Sequence, residues 1–272
     1  MIPKYLYKYQ PSLDKDEHGV TNLQNHQIYY PHPNEFDDPY DCALQIMRDV
    51  SETDVNELWE KWKKGEIHTE HPYDKYYSQY TTDGKPNEKF RNANIGTIKM
   101  ILAREREKIL TQWGISCFSA NNDNLLMWAH YGSGHKGYCL EFDTSEPLFK
   151  NASPVTYPST EEIPSYSPVD ILTGKENAVQ RMTLIKAPDW AYQEEWRIFC
   201  EKGDTVKNYE ENCLTKVFFG AKSSRDDQIK IIKAIGNCQT KFFIMEPDSE
   251  LFEVKPVEYE KWLGKQSDFV SG

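Results

Sequence analysis

Apolar positions recur along the chain with two different periods, and the change from one to the other organises it. Tyr5-Leu6-Tyr7-Lys8-Tyr9 reads as a short aromatic strand and Gln27-Ile28-Tyr29-Tyr30 as a second. Pro31-His32-Pro33-Asn34 ends that strand, because prolines cannot extend a sheet, and a loop runs on through Glu35-Phe36-Asp37-Asp38-Pro39-Tyr40-Asp41. From about Cys42 to Lys64 the spacing is helical. Ser51 or Thr53 can cap a helix that carries Val55, Leu58, Trp59 and Trp62 on one face. The polar, Tyr-rich stretch from Gly65 to Lys85 is expected to be loop. Glu88 to Trp113 gives the clearest helix, with Ile98, Ile101, Leu102 and Ile109 on one side and Gly114 as its stop.

After Gly114 the period shortens. Ile115 to Ser119, Gly137 to Asp143, Trp196 to Cys200, Lys216 to Gly220, Lys241 to Met245 and Leu251 to Val254 read as strands. Asn124 to Tyr131 reads as a short helix, and Ser224 caps another that ends at Ile235. Four prolines between 153 and 168 predict an irregular crossing segment. Helices early and strands late predict an α+β fold. Its antiparallel or mixed sheet is built from the N-terminal strands and the second half. The expected organisation is a single domain, 1–272, with a helical insertion at about 42–113.

Composition narrows the function classes. The chain has 43 acidic and 32 basic residues, a formal charge of −11 and 13% aromatic residues. That balance disfavours nonspecific nucleic-acid binding over the whole surface, which needs clustered Lys and Arg. Mean hydropathy is −0.76, and no apolar run approaches the roughly 18 residues of a membrane helix. With no apolar N-terminal stretch either, a cytoplasmic protein without membrane association is expected. The six cysteines include no CxxC pair, and neither GxGxxG nor GxxxxGK[ST] occurs.

Three polar segments beside strands can carry chemistry. The first, Asn34 to Asp41, is acid-rich but lacks a calcium-loop spacing, and it also reads as an Asx-rich turn around Pro39. The second runs from Cys117 to Gly132. A strand delivers Ser119 to a loop, and the following helix places Met127 and His130 on one face beside Tyr131. His130 and His135 lack a nearby third ligand, so no metal is assigned. The third is Lys186 to Arg197. Gln193-Glu194-Glu195 is expected to open a strand with Gln193, Glu195 and Arg197 on one face. A structural Glu195–Arg197 or Glu195–Lys8 ion pair competes there with a ligand-binding role.

Together these segments resemble an uncharacterised bacterial domain-of-unknown-function family. Its pattern is LYKY, FNDPFD, CFS…LMWxHY…HKGxCxxFD and WxYExEWR. Here it appears as Leu6 to Tyr9, Phe36 to Asp41, Cys117 to Asp143 and Trp190 to Arg197, with Asp37 in place of Asn and Gln193 in place of Glu. The order Lys8, Ser119, Gln193-x-Glu195 is also similar to ADP-ribosyltransferase-like domains, although their first-strand residue is Arg or His. That resemblance implies NAD as cofactor. Glu195 would be the carboxylate stabilising an oxocarbenium-like transition state, with Gln193 orienting the acceptor. Lys8 and Ser119 would hold the dinucleotide, and Tyr131 or Tyr7 would stack on nicotinamide. His130 and Arg197 complete the expected site.

Three functions are therefore expected from sequence. The first is an NAD-using transferase or glycohydrolase with a protein or nucleic-acid acceptor, as in a phage-defence or toxin-like effector. The second is a metal-dependent nuclease using Asp38, Asp41, His130 and Glu195. The third is a non-catalytic module that senses a ligand or a protein.

Overall fold

In the first strand, β1 (Tyr5–Gln10), each residue sends its side chain to the face opposite its neighbour's. Leu6, Lys8 and Gln10 thus share one face, and Tyr5, Tyr7 and Tyr9 share the other. The computed structural model describes residues 1–16, 18–42, 51–67, 73–159, 161–163, 183–236 and 239–270. It divides into two compact units: Met1–His32 with Trp113–Thr156 and Asp189–Gly272, and Pro33–Gln112 with Tyr157–Pro188.

The remaining strands are β2 (Gln27–Tyr30), β3 (Thr81–Thr82), β4 (Lys85–Pro86), β5 (Gly114–Ser119), β6 (Tyr138–Asp143) and β7 (Ser153–Pro154). They continue with β8 (Glu195–Cys200), β9 (Thr205–Asn208), β10 (Leu214–Phe219), β11 (Lys241–Pro247) and β12 (Val254–Glu258). The helices are α1 (Gly19–Gln24), α2 (Glu52–Lys63), α3 (Tyr73–Tyr80), α4 (Glu88–Gln112), α5 (Leu125–His130), α6 (Arg225–Ile235) and α7 (Tyr259–Val270). The fold is α+β.

The first unit is built on an eight-stranded sheet in the order β12-β11-β10-β6-β1-β5-β8-β7. Its pairs are antiparallel except β10 with β11, which α6 connects. On the Leu6 face, Phe118, Leu140, Phe142, Val217 and Phe219 pack with residues of α1, α6 and α7 in the larger core. On the Tyr7 face, Met127 and Trp128 of α5 pack on Tyr9, Cys139, Phe218 and Met245. A two-stranded ladder, β2 with β9, completes this unit.

The second unit holds its own core, in which Trp59, Trp62, Tyr80, Phe90 and Ile98 meet. Ser51 caps α2 by a reciprocal box with Asp54.

Several sequence expectations are corrected. Gly65 to Lys85 is not all loop: Tyr73, Tyr76, Tyr77 and Tyr80 recur at helical spacing and form α3, and the rings of Tyr73 and Tyr80 stand against Trp62 of α2. Of the expected Cys42 to Lys64 helix, α2 covers Glu52–Lys63; 43–50 lie outside the described residues, as do 164–182 of the crossing segment. Leu251 and Phe252 form an exposed bend held by the Asp248 carboxylate, and the edge strand follows at Val254. Helices α1 and α7 were not anticipated. Gln193 ends a turn of 3₁₀ helix and Glu194 is left-handed, with φ of 43°, so the strand opens at Glu195.

Phe142 is fully buried, with Phe118, Phe149 and Tyr209 rings at 5.9, 5.8 and 5.2 Å. Phe142→Ala should therefore cost about 3–5 kcal/mol of stability, read by chemical denaturation.

Candidate functional site

Strand register aligns one residue from each of five neighbouring strands. Lys216 of β10 faces Glu141 of β6, Glu141 faces Tyr7 of β1, Tyr7 faces Ser119 of β5, and Ser119 faces Glu195 of β8. Paired residues point the same way, so this polar row crosses the face that α5 partly covers.

Toward each end of the row a carboxylate is held by a cation. Arg197 donates from Nε to Glu195 Oε1 at 2.7 Å and from Nη2 to Oε2 at 3.2 Å. Arg197 is 0% exposed and Glu195 5%. The fork-to-fork geometry suits a buried pair, because each charge keeps strong hydrogen bonds after leaving water. At the other end Glu141 is 1% exposed. The Thr215 hydroxyl donates to its Oε1 at 2.7 Å and Lys216 Nζ to its Oε2 at 3.1 Å. A register shift between Leu214 and Lys216 explains how two consecutive residues of β10 reach one carboxylate, since a bulge re-aims side chains. Burial first, and then the Glu141 carboxylate, push the Tyr7 phenol well above its ordinary range, so Tyr7 stays protonated. Burial, followed by the Glu195 charge, does the same to the Cys117 thiol, which removes it as a ready nucleophile.

Polar contacts extend from the row toward α5. Ser119 Oγ donates to the Gln193 carbonyl at 2.7 Å and accepts from Asn121 N at 3.1 Å. Gln193 Nε2 donates to the Tyr131 hydroxyl at 2.7 Å. The left-handed Glu194 turns the chain between Gln193 and Glu195 and lets its carbonyl accept from Ala120 N at 3.0 Å. His130, exposed at the end of α5, has its ring 6.1 Å from Tyr192 and 6.4 Å from Tyr131. Glu195, Arg197, Ser119, Tyr7, Gln193, Tyr131 and His130 therefore gather on one side of the sheet.

Lys8 does not join them. It leaves β1 from the opposite face, where Nζ donates to Ser116 Oγ at 2.9 Å and to the Cys117 carbonyl at 3.2 Å and stands 5.1 Å from the Phe118 ring. Among the described residues no carboxylate oxygen pairs with it. Burial pulls the Lys8 pKa down, against smaller raising effects of Cys117, Glu195 and Asp16. On this face lies a cavity of 840 Å³ lined by Lys8, Gln10, Asp16, Asn22, Tyr138 and Leu140, with β2 and β9 contributing its rim.

The residues considered for metal chemistry are split between the units, Asp38 and Asp41 in one, His130 and Glu195 in the other. No group of three or more His, Cys, Asp or Glu side chains placed to hold a metal ion occurs among the described residues. No helix is long and apolar enough, among the described residues, to cross a membrane.

The fold and these two faces define the class: an α+β protein whose mixed sheet carries a buried polar row on one side and a cavity on the other. Residues 127–198 match the family described as protein of unknown function (DUF2971), which supports the recognised pattern as that of an uncharacterised family. No curated protein matches the chain, and no solved structure does.

Glu141, Lys216 and Tyr138 were missed from sequence. The available signal was an acid inside the otherwise apolar run Tyr138 to Phe142, but only pairing with β10 shows which cation answers it.

Arg197→Ala leaves Glu195 as an uncompensated buried charge and should cost about 3–5 kcal/mol in chemical denaturation, whereas the double change with Glu195→Gln should recover part of that loss.

Proposed function

We propose that the chain is a ligand-binding module that takes an anionic small molecule, NAD among the candidates, in the cavity beside Lys8. One observation carries this reading. Lys8 lines the cavity, and its ammonium hydrogen-bonds only to neutral oxygens. Lys15, Asp16 and Asp204 also line the cavity, but no described carboxylate pairs directly with Lys8, and a phosphate or carboxylate entering beside it supplies that direct partner. The volume of 840 Å³ falls within the range of ligand sites, about 300–1,000 Å³. Leu23, Ile28 and Leu140 offer apolar contact there, and Gln10 and Asn22 offer amides that make no other side-chain hydrogen bond among the described residues.

Binding and sensing fit this arrangement better than transfer chemistry at Glu195. An ADP-ribosyltransferase-like site asks Lys8 and Glu195 to face one substrate, whereas alternation along β1 and the register with β5 and β8 send them to opposite faces. A carboxylate already forked onto Arg197 is also poorly placed to stabilise a passing positive charge.

Isothermal titration with NAD⁺ and with inorganic phosphate tests the reading. Binding by the wild-type chain and a loss of about tenfold or more in Lys8→Met, the size expected for one charge-assisted hydrogen bond, are the expected results. Failure of the wild type to bind either probe, or equal binding by Lys8→Met, overturns it. Lys8→Met keeps the aliphatic stem and removes the buried charge, so the free protein should melt at the same temperature or higher while its affinity falls. A merely structural lysine would instead lose stability on this change.

The pH dependence has a defined sign. Burial lowers the folded pKa of Lys8 below its value of 10.5 in the unfolded chain. The unfolded state therefore binds more protons between the two values, and the cost of burying the ammonium, full below the folded pKa, fades as pH rises toward 10.5. Free-protein stability attributable to Lys8 should rise across that window relative to Lys8→Met, while affinity for the anion should fall.

A further inference from the structure

The cavity holds a second polar group. Tyr138 is 1% exposed and lines the cavity, and its hydroxyl makes no hydrogen bond to a described residue. Beside it stands the Asp16 carboxylate: a Cβ added at Gly19, the first residue of α1, would collide with both Asp16 Oδ2 and the Tyr138 hydroxyl. The absence of a side chain at Gly19 thus keeps open the space that brings a donor and an anionic acceptor together. Asp16 Oδ1 accepts from His18 N at 3.3 Å, and Oδ2 is not in any hydrogen bond among the described residues.

The sheet places Lys8 and Tyr138 on one face. Tyr138 faces Gln10 and Leu140 faces Lys8, so Lys8 and Tyr138 are diagonal neighbours, with backbone positions roughly 7–8 Å apart.

We infer that the anion bound at Lys8 carries a sugar, and that Asp16 and the Tyr138 hydroxyl recognise its hydroxyl groups. This rests on the anion reading for Lys8 and names the substrate class for it: a sugar phosphate, free or as part of a nucleotide. A carboxylate accepts hydroxyl protons, and the phenol donates to a hydroxyl oxygen, so together they satisfy both ends of a sugar hydroxyl. The apolar floor formed by Leu23 and Leu140 lies beneath the same space.

The test compares three probes by isothermal titration: inorganic phosphate, propyl phosphate and ribose 5-phosphate. In the wild type, ribose 5-phosphate should bind at least about tenfold more tightly than propyl phosphate. Tyr138→Phe removes one oxygen and keeps the packed ring. Asp16→Asn keeps the shape and removes the charge at a half-buried position that does not risk the fold. Each should weaken ribose 5-phosphate by about fivefold or more and leave propyl phosphate within about twofold. Equal binding of the two organic phosphates by the wild type, or variants that weaken both alike, overturns sugar recognition while the anion reading stands. Binding of none of the three overturns both.

Discussion

The alternation of one central strand decides which chemistry can meet in this protein. β1 lies between β6 and β5, so both of its edges are paired and its side chains alternate between the two faces of the sheet. Tyr7 and Lys8 are adjacent in sequence, yet one joins a row of paired charges and the other the wall of a cavity. A slip of one residue would exchange them, bringing Lys8 to Glu141 and Tyr7 into the core beside Phe118. The apolar demand of Leu6 on the core side, fully buried among Phe142 and Phe118, forbids that slip.

Charge compensation differs sharply between the two faces. On the row, Glu195 meets Arg197 and Glu141 meets Lys216, so the cost of desolvating each acid is offset within the chain. The bulge in β10 shows how closely this is arranged, since without the shift Thr215 would point away from Glu141. On the cavity face, Lys8 hydrogen-bonds only a hydroxyl and a carbonyl, and the Tyr138 hydroxyl makes no hydrogen bond among the described residues.

Much of the scaffold was legible in the sequence because it obeys local rules. Period-two runs marked β5, β6, β8, β10 and β11, and the Ser224 cap marked α6, its hydroxyl accepting from Asp227 N at 3.0 Å. The Cys117 to Tyr131 and Trp190 to Arg197 segments do converge on one face. What could not be read depended on contacts distant in sequence. The helix of tyrosines from Tyr73 hides in a polar stretch because its apolar partner, Trp62, lies elsewhere. Glu194 adopts a left-handed turn that no residue preference announces, and it moves Gln193 off the strand. Lys8 was assigned to the Glu195 site because order along the chain was known and strand register was not.

The match over residues 127–198 illustrates the same limit from the other direction. Within it, Tyr138 and Leu140 face the cavity while Cys139 and Glu141 face the row, so one stretch of sequence feeds two different surfaces. A signature read along the chain interleaves them, and only the pairing of β6 with β1 separates its odd from its even positions. Lys8, outside that stretch, completes the cavity face by standing opposite Leu140 and diagonal to Tyr138. The row is electrically complete without any visitor. On the cavity face Lys8 keeps only neutral hydrogen-bond partners and the Tyr138 hydroxyl makes no hydrogen bond to a described residue.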